Sequence, residues 1–278
     1  MTFIKRALTA IIGLPPVVVI VYFGGWPLYL LCYSAAMLGL WELYRAFDIP
    51  KPLKLAGFAF TAINFLAVFF LDGMFWEGLA LYVIVLAALT VVFYGRFSFE
   101  KVIKSAFGFM YVPFLLTFVL LLRDVDYGHI WIWIIFISCF GCDTFAYLIG
   151  SAFGRRKLVN SPSPSKSVEG LVGGVIGTFA LGFSIPFFVS RLPAFADSET
   201  AVFLNVGSSL TVALIASAGA VLSIIGDMFG SAIKRYAEIK DFGTIFPGHG
   251  GMLDRLDSIV VVSPFMFVVI SALDGVLL

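Results

Sequence analysis

A chain of 278 residues that is 61% hydrophobic and only 13% charged cannot cover its own surface in water, where soluble domains carry about 25% charge. A mean hydropathy of +1.04 and a net charge of +1 indicate a polytopic, all-α membrane protein and offer no global field for a nucleic-acid partner. Of the three cysteines, Cys139 and Cys142 are spaced C-x-x-C, but no second pair or histidine lies near them, so they and Cys32 read as small apolar core residues.

A hydrocarbon core of about 30 Å asks for ~20 apolar residues per helix. With that ruler nine segments are predicted to span, near 7–23, 26–44, 54–71, 75–94, 106–122, 129–150, 168–190, 208–230 and 258–277. The first follows Lys5 and Arg6. It reads as a short span and not as a signal peptide, because no small-residue cleavage site stands near Gly24 and the next apolar run follows at once. The loops then alternate in charge. Arg45, Lys51 and Lys54, then Arg96, Lys101 and Lys104, then Arg155, Arg156, Lys157 and Lys166, then Lys234, Arg235, Lys240 and Arg255 fall on the side of the N-terminus. The loops between them hold Asp72 and Glu77, Arg123 with Asp124 and Asp126, and Arg191 with Asp197 and Glu199. The positive-inside rule then puts the N-terminus in the cytoplasm and the C-terminus outside.

Two cytoplasmic loops differ from the rest. Residues 151–167 and 231–257 are rich in Gly, Pro, Ser and Lys, and each follows an aspartate set in an apolar helix, Asp143 and Asp227. A carboxylate at bilayer depth costs about 2.5–3.5 kcal/mol on insertion scales, so each should face a partner or a wet cavity. The chain therefore divides by role into N-terminal scaffold helices (1–105), with possible oligomer contacts, and a catalytic region (106–278).

The 27 residues from Ser231 to Asp257 carry Lys234, Arg235, Lys240, Asp241, His249, Asp254, Arg255, Asp257 and four glycines. If the eighth span continues past Gly230, Asp227, Ser231 and Lys234 share one helical face. Asp254 and Asp257, three apart, point the same way on a helical turn, while Arg255 points elsewhere. Clustered carboxylates suit a hard divalent cation such as Mg²⁺. The run Pro247-Gly248-His249-Gly250-Gly251 lets backbone N–H groups approach an anion, and the basic residues around it add positive charge. Together these describe a polyphosphate site without a P-loop. In the other loop Ser163, Lys166, Ser167 and Glu169 precede a spanning helix. Ser167 is placed to cap that helix. Lys166 at a helix N-terminus runs against the dipole, and an anion bound between them would resolve the mismatch.

The spacing Ser231-x-x-Lys234-Arg235, four residues, Lys240-Asp241-x-Gly243, two residues, Phe246-Pro247-x-His249-Gly250-Gly251-x-x-Asp254-Arg255-Leu256-Asp257 resembles the signature of phosphatidate cytidylyltransferases, or CDP-diacylglycerol synthases. Asp143-Thr144-x-Ala146-Tyr147 and Ser163-Pro164-x-Lys166-x-x-Glu169-Gly170 share in the resemblance, which covers the C-terminal half. The chain departs from the family pattern at Phe145, where glycine is usual, and at Ser165 and Ser167, where lysine and threonine are common.

The resemblance implies transfer of CMP from CTP to phosphatidic acid, with release of pyrophosphate, at the inner membrane and on its cytoplasmic face. It implies Mg²⁺, with or without a second cation, held by Asp227, Asp254 and Asp257, with Asp143 as a further candidate. Lys234, Arg235, Lys240 and Arg255 would neutralise phosphate, and Asp241 and His249 belong to the same catalytic set. Ser163, Lys166, Glu169, Gly248, Gly250 and Gly251 would line the substrates. A homodimer is expected because the N-terminal helices have no assigned chemistry. The alternatives are a CTP-dependent polyprenol or phytol kinase and, in a different class, an ion-coupled transporter using Asp143 and Asp227.

Overall fold

The structure, a computed structural model, describes residues 13, 15–70, 75–158, 162–164, 166–189, 206–246, 248 and 250–277. Among the described residues its helices include α1 (Gly25–Ala46), α2 (Lys51–Phe70), α3 (Phe75–Val92), α4 (Phe99–Phe109), α5 (Phe118–Arg123), α6 (Gly128–Phe136), α7 (Cys142–Phe153), α8 (Val168–Val189), α9 (Val206–Tyr236) and α10 (Leu253–Leu277). Among the described residues there is no strand, only the isolated bridges Lys157–Ser167 and Phe246–Gly250.

Among the described residues six stretches are long and apolar enough to cross a bilayer: Lys51–Phe70, Phe99–Arg123, Gly128–Phe153, Val168–Ile185, Ser209–Tyr236 and Leu253–Leu273. They match the segments expected from residues 54, 106, 129, 168, 208 and 258. The segment expected at 75–94 is α3, whose apolar run Trp76–Val92 is shorter. The segment at 26–44 is α1, and the one at 7–23 lies partly outside the described residues.

Two features were not foreseen. Phe99–Arg123 is interrupted by a π-helical turn at Met110–Phe114, and Gly128–Phe153 by another at Ile137–Gly141. The first contains Pro113, which has no N–H to give the helix. Its carbonyl is satisfied twice by Thr117, from the backbone N–H at 3.1 Å and from Oγ1 at 2.8 Å.

The chain divides into two compact units, Met1–Leu121 with Ile233–Leu256, and Leu122–Ala232 with Asp257–Leu278. The first is knit by polar groups inside an apolar bundle. Tyr44, fully buried on α1, donates to the Ser105 carbonyl at 2.9 Å, and its hydroxyl lies 3.1 Å from that of Tyr82 on α3. Asn64 on α2 donates to Thr117 Oγ1 at 2.7 Å. Bonds of this kind inside a membrane bundle are worth on average about 0.6 kcal/mol each. Tyr44 fits because Gly57 and Gly108 leave its ring room; a Cβ on Gly108 would meet Tyr44 Cε1 at 2.6 Å. Lys101 closes the C-terminus of α1 by donating to the carbonyls of Phe47 and Asp48, both at 2.8 Å, where a cation also meets the favourable end of the dipole.

In the second unit α7 and α8 approach through small residues. A Cβ on Gly174 would meet the Cys142 carbonyl at 2.9 Å and Ala146 Cβ at 3.1 Å. Phe145, the residue standing where the family usually has glycine, packs its ring against Gly177. Helices α9 and α10 are joined by Ser258, whose hydroxyl donates to the Ser223 carbonyl at 3.1 Å.

The Tyr44 pocket gives a first test. Gly57→Val drives two methyls into the Tyr44 ring, and overpacking of this kind costs about 1–3 kcal/mol. The detergent-solubilised variant should melt several degrees below wild type, and Tyr44→Leu in the same background should recover part of the loss.

Candidate functional site

The 231–257 stretch is more helical than its composition suggests. α9 runs on to Tyr236, so Ser231, Lys234 and Arg235 are helical. α10 begins at Leu253, so Asp254 lies in its first turn, with Asp257 three residues on. Between them the described residues 237–246, 248 and 250–252 lie outside the helices. The turns of this loop use Gly248 and Gly250 at φ of +81° and +83°, conformations that glycine adopts without steric cost.

In the first unit this loop is organised by Asp254. Its Oδ1 accepts from Lys234 Nζ at 2.8 Å, and its Oδ2 accepts from the N–H groups of Phe242 and Gly251, both at 2.9 Å. The two side chains are 5% and 15% exposed, so the pair is largely removed from water. Lys234 also lies 5.4 Å from the centre of the Phe242 ring, a cation–π contact. A Cβ on Gly250 would meet Asp254 Oδ2 at 2.7 Å. The glycines of the signature therefore stand against carboxylates of the chain itself: Gly250 against Asp254, and Gly251 against Glu42.

Glu42 was not anticipated. It is fully buried on α1, and accepts from the N–H of Met252 at 3.0 Å and of Leu253 at 2.8 Å. One turn further along α1, Arg45 donates to the Phe242 carbonyl at 3.0 Å and lies over the Trp41 ring. The signal was present in the sequence: a lone glutamate in LGLWELYRA breaks the apolar rule as Asp143 and Asp227 do.

In the second unit Lys166 forms an ion pair with Asp227. The cation that runs against the dipole of α8 thus finds a carboxylate of the protein. Ser167 does cap α8, its Oγ accepting from the Gly170 N–H at 3.2 Å. Glu169 turns back to accept from the N–H of Arg155 at 3.1 Å and of Arg156 at 3.1 Å, which ties the residues after α7 to the start of α8. Asp257 is 6% exposed and accepts from the Ser258 N–H at 2.8 Å through Oδ1. It packs where α9 has no side chains. A Cβ on Gly226 would meet the Asp257 carbonyl at 2.7 Å, and one on Gly230 would meet Asp257 Oδ2 at 3.0 Å. Asp227 lies between these two glycines in sequence.

Asp143 is exposed in the first turn of α7. Arg235, Lys240, Asp241 and Arg255 are exposed, and Ser163 and Gly248 are half-buried. His249 lies outside the described residues. Among the described residues no three His, Cys, Asp or Glu side chains are gathered into a metal-holding group. In the second unit the Asp257 carboxyl packs against Gly230 of α9, and Asp227 is already paired with the Lys166 cation.

The Lys234–Asp254 pair yields a stability prediction. Asp254→Ala leaves a largely buried cation and two loop N–H groups without their acceptor, a loss of about 3–5 kcal/mol. Lys234→Met leaves Asp254 its two N–H donors and should cost less. In heat-unfolding of the solubilised protein, the double variant should be destabilised by less than the sum of the two single changes.

A family model described as the cytidylyltransferase family matches residues 4–273. A phosphatidate cytidylyltransferase of Bacillus subtilis (strain 168) is 30% identical over 275 residues, covering 95% of this chain and 96% of that protein. One from Staphylococcus haemolyticus is 31% identical, covering 94% and 96%. One from Thermotoga maritima is 35% identical over 178 residues, covering 64% of this chain and 62% of that protein.

Proposed function

The chain belongs to the cytidylyltransferase family, and on that premise we propose that it transfers CMP from CTP to phosphatidic acid, giving CDP-diacylglycerol and pyrophosphate. The observation that carries this reading is the match from residue 4 to residue 273, together with relatives of that activity aligned over almost their whole length.

The chemistry asks little of a general base. A lipid phosphate is already ionised at neutral pH, so its oxygen can attack the α-phosphorus of CTP once the two are aligned. What the protein must supply is position and neutralisation of charge. Asp227 and Asp257 are the first candidates to hold Mg²⁺, with Asp143 and Asp254 as the further carboxylates of the proposed set. Such an ion would neutralise the triphosphate and polarise its oxygens. Asp254 already accepts three donors, so its share in the metal would come at the expense of its bond to Lys234. Lys166, Lys234, Arg235, Lys240 and Arg255 are assigned to the phosphates, with Asp241 and His249 beside them. Ser163, Glu169 and the glycines Gly248, Gly250 and Gly251 shape the loops on which the cations stand.

CTP is dissolved in the cytoplasm and phosphatidate lies in the leaflet, so the reaction belongs at the inner face of the cytoplasmic membrane. The basic loops support nine spans with the N-terminus inside and the C-terminus outside. A homodimer is the assembly we propose.

The test is pyrophosphate release by the detergent-purified protein, with and without phosphatidate and Mg²⁺. Release should require CTP, the lipid and the metal together, and Asp257→Asn should lower it by about a hundred-fold or more while remaining folded. Release of CDP with a polyprenol or phytol acceptor would establish a lipid kinase instead. Absence of any CTP turnover, with ion flux in vesicles that depends on Asp143 and Asp227, would establish a transporter.

A further inference from the structure

Asp254 is held in place by a segment that also contacts α1, a helix to which the sequence assigns no chemistry. Three consecutive N–H groups, those of Gly251, Met252 and Leu253, end on carboxyl oxygens: the first on Asp254, the next two on Glu42. These are groups that the start of a helix leaves without intrahelical partners. Glu42 thus caps α10 from a residue 210 positions earlier in the chain, and its negative charge sits at the favourable end of the dipole.

Its fit is steric as well as electrostatic. A Cβ on Gly243 would run into Glu42, and one on Gly251 likewise, while Gly243 and Gly251 themselves pack closely. Two glycines of the signature therefore make room for this one carboxyl group. Arg45 holds the other end of the segment at Phe242, whose N–H is bound by Asp254. Glu42 and Arg45, one turn apart on α1, grip the loop at both ends, and Asp254 bridges the same two ends from within.

We propose that Glu42 is a positioning residue for cytidylyl transfer: it fixes the 242–253 segment and so sets where the Asp254 carboxylate and Lys234 stand. This rests on the cytidylyltransferase reading. A misplacement of about 1 Å far from the chemistry can cost about a hundred-fold in rate, so a residue that touches no substrate can still govern turnover.

The experiment compares wild type with Glu42→Gln, Glu42→Asp and Arg45→Gln in the CTP- and phosphatidate-dependent assay, measuring kcat, both KM values and the Mg²⁺ concentration for half-maximal rate. Glu42→Gln keeps the shape but replaces one acceptor by a donor facing an N–H. Its kcat per folded molecule should fall by about ten- to a hundred-fold, and its Mg²⁺ requirement should rise. Both KM values should stay within about two-fold, and Glu42→Asp should restore part of the rate. If Glu42→Gln does not fold, Arg45→Gln, which leaves Glu42 intact and loosens the other end, must show the same lowered kcat and raised Mg²⁺ requirement. Folded variants whose kcat and Mg²⁺ dependence equal those of wild type would overturn the proposal. So would a loss of rate that merely follows the folded fraction. Failure of wild type itself to turn over CTP would instead overturn the reading on which the proposal rests.

Discussion

The acids that organise the described polar loops answer to one constraint: a carboxyl group carried on an apolar helix must have its oxygens satisfied inside the protein. Asp254 meets it with a lysine and two backbone N–H groups, Glu42 with two more N–H groups, Asp227 with Lys166, and Asp257 at least in part with its own helix start. The loops take their shape from this need. The N–H groups of residues 242 and 251–253 reach two buried acids, while the more exposed Glu169 ties the N–H groups of Arg155 and Arg156 to the start of α8.

Glycine is the means by which the constraint is met. Gly226 and Gly230 let α10 bring Asp257 against α9, Gly243 and Gly251 admit Glu42, and Gly250 turns the chain so that Asp254 can be reached. A glycine-rich loop beside basic residues is easily read as a cradle for phosphate. Here much of that glycine is accounted for by contacts within the protein, which leaves the exposed cations Arg235, Lys240 and Arg255 as the groups turned outward.

The sequence made the helical membrane class legible, because apolar runs of about 20 residues have few other solutions. It also made the acids legible, since Asp143 and Asp227 stand out against their surroundings. That Asp254 and Asp257, three apart, would point the same way on a helical turn followed from the period, while α10 begins at Leu253, five residues ahead of the span expected from 258. What could not be read was pairing at long range. Glu42 stands out as an acid in an apolar helix, but nothing local in it or in Arg45 points to residues some two hundred positions away. The π-helical turns were equally hidden: Pro113 marks one, but Ile137–Gly141 has no proline and no local residue that announces it.

The cap of α10 by Glu42 has a consequence for how the protein is made. Glu42 leaves the ribosome 210 residues ahead of the N–H groups that satisfy it, which at about 5–20 residues per second is an interval of roughly 10–40 s. Through that interval the nascent helix holds a carboxyl group whose final partners do not yet exist. It must rest near the membrane surface, in contact with water or lipid headgroups, until the C-terminal helices are inserted. Completion of the first unit is therefore tied to synthesis of about the first nine-tenths of these 278 residues, and a product truncated before Met252 keeps in α1 an acid without these partners.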